Sequence, residues 1–331
     1  MHPTGESERT ILVLAPTGRE DAVRSARLVA GRLMAEGIEV RVIDEDAPDL
    51  HVTGATLVSA GPDAAKDAEL ILVLGGDGSL LRAAEYARES GTPVIGVNLG
   101  HVGFLAEAEA DGLAETADRI VAGDYRVTER MTIDVIARDT GGTELARTWA
   151  LNEVTVEKTA RERMIELVIG VDGRPLSRWG GDGVVCATPT GSTAYAFSAG
   201  GPVVWPEVEA LLMVPISAHA LFAPPLVVSP ESVLAVELVC EHMGSSEESG
   251  RLAETTGAVM WCDGRRRFDL PPCARVEVRR GGLPVRLARI NGLAPETGGG
   301  GPFTDRLVAK FGLPVAGWRG RGGKETVRGH A

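Results

Sequence analysis

Short unbroken apolar runs alternate with amphipathic stretches over the first third of this chain. Thr10-Ile11-Leu12-Val13-Leu14 and Leu70-Ile71-Leu72-Val73-Leu74 are the clearest runs, and Ile38–Ile43 and Pro93–Val97 read the same way. Runs of this length, bounded by glycine and proline, predict strands buried on both faces. Between the first two runs, Ala22, Val23, Ala26, Val29, Ala30 and Leu33 recur at helical spacing. That predicts a helix to about Glu36, stopped by Gly37. Further helices are predicted over Leu80–Glu89 and Leu113–Val121. Strands alternating with helices argue an α/β unit with a Rossmann-like, doubly wound parallel sheet.

The pattern changes near Tyr125. Met131–Ile136, Glu166–Val171 and Val233–Val239 alternate with period two, and glycine and proline turns replace helical spacing over most of 126–290. This predicts a mainly antiparallel β domain. The expected organisation is an α/β phosphate-donor domain over 1–125 and a β-rich dinucleotide-binding domain over 126–301. Segment 302–319 would pack back on the first domain, ahead of a disordered tail over 320–331. Glu241–Thr256 and Asn291–Pro302 read as surface insertions, and Phe303–Phe311 as a helix.

Composition narrows the chemistry. The chain has 331 residues and a net charge of −12, so nonspecific binding to nucleic acid or an anionic membrane is disfavoured. An anionic nucleotide must then be held by local N–H groups, a few basic residues or a metal ion. Cys186, Cys240, Cys262 and Cys273 lack C-x-x-C spacing and are read as packed, reduced thiols. The polar, charged start and the lack of a long apolar run give a cytoplasmic expectation.

The candidate chemistry begins where the Leu70–Leu74 run ends. Gly75-Gly76-Asp77-Gly78-Ser79 would let backbone N–H groups approach a phosphate, place a helix N-terminus on it, and leave one carboxylate beside it. As residues alone, Asp77 is equally well a helix cap. The Walker pattern, the G-x-G-x-x-G fingerprint and the G-x-S-x-G elbow are absent. A second glycine cluster runs from Gly180-Gly181-Asp182-Gly183 through Thr188–Tyr195 to Ser198–Pro202, where glycine and small hydroxyls leave room for a flat or phosphorylated ligand. Asn152-Glu153 could read a ribose diol or adenine edge, although such a pair is usually a turn. His101 and His219 have no second ligand at metal spacing and are read as packed or surface residues.

Together these residues resemble the ordered motif set of the bacterial NAD kinases. The resemblance is carried by Gly75–Gly78, Asn98–Leu105, Asn152-Glu153, Thr188–Pro202, Pro302–Leu307 and Gly317–Arg319. It implies an α/β domain, a β-rich domain and a C-terminal helix returning to the first. It also implies transfer of the γ-phosphoryl of ATP (or polyphosphate) to the 2′-hydroxyl of the NAD adenosine ribose. Asp77 would be the general base, and Gly75, Gly76, Gly78 and Arg82 would contact donor phosphates. Asn152 and Glu153 would hold the ribose. Asp182, Thr193, Ala194, Tyr195, Ala196, Phe197 and Ser198 would hold the rest of the dinucleotide. Arg163 would reach a phosphate and Ala218 would line the site. Mg²⁺ or another divalent cation would arrive with ATP, with no protein metal ligands nominated. The chain would be a homo-oligomer, dimer or tetramer, with no nucleic-acid or membrane partner. Ser79 departs from the family's usual threonine, keeping the hydroxyl. The alternatives are a lipid or sugar kinase sharing the glycine-aspartate loop, which needs no Asn152-Glu153, and a nonenzymatic dinucleotide-binding regulator, which needs no Asp77.

Overall fold

The computed structural model describes residues 9–100, 103–106, 108–109, 112–161, 163–240, 257–291 and 303–314. The segments read as insertions at 241–256 and 292–302, His101, the Gly317–Arg319 motif and the 320–331 tail lie outside them.

The apolar runs form the centre of the first sheet. Strands Thr10–Leu14 (β1), Glu39–Ile43 (β2), Thr56–Val58 (β3), Leu70–Leu74 (β4) and Val94–Asn98 (β5) lie parallel in the order β3-β2-β1-β4-β5. Every residue of β1, β4 and β5 is buried. Helix α1 (Glu20–Ala35) covers one face, with Leu33 and Val29 against Val13 and Leu72. Helix α2 (Asp77–Ala87) covers the other, with Leu80 and Ala84 against Ile71 and Val73. Gly96 makes this close approach possible, since a Cβ there would lie 2.8 Å from Leu80 Cδ1. Helix α3 (Leu113–Val121) packs beside α1 through Ala117 and Ile120.

Helix α2 starts three residues earlier than its apolar spacing predicts. Gly76 takes the N-cap position with extended backbone, so the glycine-aspartate loop is itself the first helical turn. Two strands from beyond the change in pattern also join this sheet. Tyr125–Arg130 and Val285–Ile290 pair antiparallel with each other, and Val285–Ile290 lies parallel to β5. Neither strand carries a local mark of which sheet it will enter.

The remaining strands make two six-stranded antiparallel sheets. One contains Glu153–Lys158 between Gly183–Ala187 and Ala258–Cys262. The other contains Ile133–Arg138, Ile165–Val171, Leu234–Leu238 and Arg275–Arg280. They share one apolar core, in which Val154, Val156, Leu211 and Met260 meet Val135, Leu167, Val236 and Val276. This is the expected fold class of an α/β sheet followed by a mainly antiparallel β part.

The last described element, α4 (Phe303–Phe311), returns to the first sheet and also touches the second part. Arg306 Nη1 donates to the Phe104 carbonyl at 2.8 Å. The Phe303 ring lies 5.8 Å from Phe104 and 5.2 Å from Trp205, and Phe311 lies 4.7 Å from Phe197.

The cysteine expectation needs correction. Cys186 and Cys262 are buried free thiols, which burial pushes up to about 12. Cys240 and Cys273 are instead bridged, with Cα atoms 5.0 Å apart. Strand pairing brings them together, because Leu238 N donates to Ala274 O at 2.9 Å.

Candidate active site

The sheet order reverses between β1 and β4, and ligands of open α/β sheets collect at the carboxyl ends of strands beside such a switch. A cleft of about 420 Å³ opens there, lined by Ala15, Pro16, Gly76, Gly78 and Ser79 and by the guanidinium groups of Arg19, Arg82 and Arg265. The α2 N-terminus points its unshared N–H groups into this region. Gly75 plays another part than expected. Its N–H donates to Val97 O at 2.9 Å, so it closes the sheet rather than facing a phosphate. It must still be glycine, because a Cβ would stand 2.6 Å from Ser79 Oγ. Arg82 is half-buried and tied to Asp46 at 2.8 Å and to the Tyr86 hydroxyl at 3.2 Å. Its side chain is therefore held at the cleft wall rather than free in solvent.

Asp77 is the first helical residue, yet its side chain makes no cap bond to its own helix. Its carboxylate reaches across to the loop after β5. Phe104 N donates to Oδ2 at 3.0 Å and Leu105 N to Oδ1 at 3.1 Å. A Cβ at Gly103 would meet this carboxylate, so a side chain there would displace Asp77 from its present position. Asp77 is thus fixed in orientation from outside its own helix and remains half-buried between the cleft-lining Gly76 and Gly78.

Asn152 and Glu153 lie on the other side of α2. Leu151, immediately before them, packs in the same core as Leu80, Leu81 and Leu105. The pair opens a strand and is buried, rather than forming a surface turn. Asp263 anchors it from the adjacent hairpin by accepting from Leu151 N at 3.0 Å and Asn152 N at 2.7 Å. Asp263 is paired with Arg266 at 2.7 Å, while Arg265 and Arg266 also pair with Glu85 on α2. This hairpin therefore joins the two halves of the site. Burial raises the Glu153 carboxyl to about 8, helped by the neighbouring Asp263 charge and opposed by a bond from the Tyr195 backbone. The side-chain atoms Asn152 Oδ1 and Glu153 Oε2 are buried with no protein partner. Such orphaned acceptors fit a polar ligand better than a packed core.

The Thr188–Ser198 run lies directly on this pair. Thr188 N donates to Asn152 O at 2.9 Å and Thr188 Oγ1 to Leu151 O at 2.6 Å. Gly191 rests on the Asn152 backbone, where a Cβ would overlap it. Tyr195 feels the charges of Glu157, Asp182 and Glu153, and burial first and then these charges raise its phenol. Asp182 pairs with Lys158 at 2.5 Å, which holds its carboxyl below the usual range, with His219 charge adding to this. Ala218 is adjacent, since a Cβ on Gly181 would lie 3.2 Å from its Cα. His219 is exposed, as expected for a surface histidine.

Within this group some nominated side chains point elsewhere. Ala196 is fully buried among Val185, Ala187, Leu212 and Val214. Phe197 stacks on Phe311 of α4. Thr193, Ala194 and Ser198 remain at least partly accessible, and Arg163 is exposed on the loop before Ile165. Sequence reasoning missed Arg19, Arg265, Asp263 and the N–H groups of Phe104 and Leu105. They are remote along the chain from the residues they serve, and strand pairing alone assembles them.

Two halves of this chain also match known domains. Residues 18–125 match the ATP-NAD kinase N-terminal domain, and residues 151–290 match the ATP-NAD kinase C-terminal domain. The chain belongs to the NAD kinase family. The NAD kinase of Thermobifida fusca (strain YX) is 58% identical over 323 residues, covering 95% of this chain and 93% of the relative. NAD kinase 2 of Streptomyces avermitilis is 56% identical over 315 residues, covering 94% and 97%. The fold recurs in a yeast NADH kinase complexed with NADH, with a TM-score of 0.79 at 19% identity over 93% of this chain and 88% of that one. It recurs again in an Archaeoglobus fulgidus NAD kinase in complex with ATP, with a TM-score of 0.64 at 22% identity over 92% and 100%. The chain is accordingly an NAD kinase, making NADP from NAD and ATP. The lipid or sugar kinase alternative is set aside.

Proposed function

We propose that this NAD kinase transfers the γ-phosphoryl of ATP, or a terminal phosphoryl of polyphosphate, to the 2′-hydroxyl of the NAD adenosine ribose. Asp77 accepts the hydroxyl proton as the oxygen attacks phosphorus and the donor's bridging oxygen leaves. The anchoring of Asp77 by Phe104 and Leu105 carries this reading most directly, because a carboxylate held from outside its helix is positioned for more than capping. Gly76, Gly78 and the α2 N-terminus would face the donor phosphates, with Arg19, Arg82 and Arg265 supplying positive charge. Asn152 and Glu153 would hold the ribose so that its 2′-hydroxyl meets Asp77. At neutral pH the Glu153 carboxyl is largely protonated and can both donate to and accept from a ribose hydroxyl. Asp182, Thr193, Ala194, Tyr195, Ser198 and Ala218 would bound the remainder of the dinucleotide, and Arg163 would reach its phosphates.

The donor would arrive as its Mg²⁺ complex, in which the ion neutralises phosphate charge. The ion's ligands would be mainly phosphate oxygens and water, as expected for an Mg²⁺ that travels with its nucleotide. Among the described residues, no helix is long and apolar enough to cross a membrane. A homodimer or homotetramer in the cytoplasm is the proposed form. The exposed Leu221, Phe222 and Val227 give it an apolar surface for self-association.

The test is NADP formation by purified protein with NAD, ATP and Mg²⁺. Asp77→Asn should lower kcat by at least the ~10²-fold of a lost acid–base group, with NAD and ATP binding retained by calorimetry. A variant that keeps most of its rate overturns the base assignment. Wild-type protein that binds NAD without forming NADP would instead be a dinucleotide-binding regulator.

A further inference from the structure

Two buried acidic residues, Asp263 and Glu153, meet at the back of the acceptor corner. Asp263 N donates to Glu153 O at 2.9 Å, and Glu153 N lies 3.4 Å from Asp263 Oδ1. Asp263 is 6% exposed and Glu153 7%. Burial opposes a charge on either carboxyl, and two charges this close in a dry site repel each other. One carboxylate beside one carboxylic acid is the arrangement such a pair favours. By itself the pair does not decide which residue holds the charge.

The surroundings break that tie. Asp263 accepts from Leu151 N and Asn152 N, and Arg266 Nη2 donates to it at 2.7 Å. Arg266 is itself held, with its guanidinium 4.6 Å from the centre of the Trp149 ring and its Nε 3.5 Å from Glu85 Oε1 of α2. Among the described residues no cation pairs with Glu153, and its Oε2 is buried without a protein partner. The other ionisable groups nearby do not reverse this. Arg265 is engaged by Glu85 at 3.0 Å and Arg88 by Asp134 at 2.6 Å. Burial keeps the Cys262 thiol neutral. Tyr195 meets Glu153 through its backbone, and burial raises its phenol. We propose that Arg266 is a positioning residue for the acceptor site, assigning the negative charge of this pair to Asp263 and leaving Glu153 as the acid that donates to the ribose. This role of Arg266 rests on the reading of Asn152 and Glu153 as the ribose-holding pair. A charged Asp263 holds the Leu151 and Asn152 N–H groups, and so keeps the start of that strand aimed. Burial lifts the Asp263 carboxyl, while the N–H bonds and the Arg266 charge oppose the rise. Loss of Arg266 therefore lets Asp263 take up its proton at higher pH.

The test is NAD affinity of the full chain, measured by calorimetry from about pH 5 to about pH 9. In Arg266→Gln the fall in affinity on the acid side should move up by at least about one pH unit. Arg266→Lys keeps the charge and should shift less. Weakening by the same factor at every pH would mean that Arg266 serves packing alone, and would overturn the proposal. So would equal shifts in the two variants. The wild type supplies a readout that does not depend on how a variant folds. Carboxyl carbon-13 NMR near neutral pH should show a protonated glutamate side chain that Glu153→Gln removes. A protonated aspartate in its place would put the charge on the wrong residue and overturn the proposal. Unchanged NAD affinity in Glu153→Ala would instead overturn the ribose reading, and with it the role of Arg266.

Discussion

The donor cleft and the acceptor corner handle polar chemistry with different materials. At the cleft, Gly76, Gly78 and the start of α2 offer backbone groups, and three arginines line the opening. Around Asn152 and Glu153 the groups are side chains on buried strands, fixed by the Asp263 carboxylate and roofed by the Thr188–Gly191 turn. Phosphate carries its own charge and travels with counterions, so an open cationic cleft suits it. A ribose hydroxyl is neutral and is recognised only by hydrogen bonds that water must not dilute. The contrast teaches that the acceptor corner should be sensitive to pH and to lost buried bonds, and the donor cleft to neither.

The strongest challenge to this contrast is Asp263→Ala. It leaves the buried N–H groups of Leu151 and Asn152 without their acceptor, at about 1–3 kcal/mol each. Unfolding by denaturant should report a loss of about 3 kcal/mol or more, together with a higher KM for NAD and little change in KM for ATP. Equal effects on both substrates would show that the corner is not a separate unit.

Next in size is the pH response of Glu153. Its folded carboxyl titrates near 8, well above an unfolded glutamate, so the folded state binds more protons across the interval between. Stability of the free protein should therefore fall as pH rises from about 5 to about 8. Glu153→Gln should flatten that slope, and melting temperatures measured across the interval would show it. Superimposable profiles would remove Glu153 from the account.

The smallest effect is expected at the donor side. Ser79→Thr restores the family's residue and keeps the hydroxyl beside Gly75. We expect stability to change by less than about 0.5 kcal/mol and kcat less than twofold. A large loss would mean that the loop is packed as tightly as the acceptor corner.

Much of the first sheet was legible because its central strands are apolar on both faces, as in Leu70–Leu74. Leu113–Val121 and Phe303–Phe311 were legible from helical spacing alone. The start of α2 was not, because three glycines argue against helix while their backbone freedom is what lets the turn begin there. The Tyr125–Arg130 strand was not legible, because its polar sequence shows no period-two pattern and tertiary packing alone places it at the edge of the first sheet. In the site, Asp77, Asn152 and Glu153 were found through their motifs. Asp263 and Arg265 were not, since a hairpin more than a hundred residues downstream supplies them. The Cys240–Cys273 bridge was missed because adjacency across strands leaves no spacing signature.

The position of α4 has a consequence for how the enzyme comes into being. Arg306 and Phe303 brace Phe104, whose N–H helps aim Asp77. Among the described residues all three sheets are complete by Ile290, so a chain still being synthesised can assemble these strands before this brace exists. Catalytic competence would then be the last property a newly made molecule acquires. Chains cut short before Phe303 would be folded but poorly armed, a safeguard against incomplete copies spending ATP.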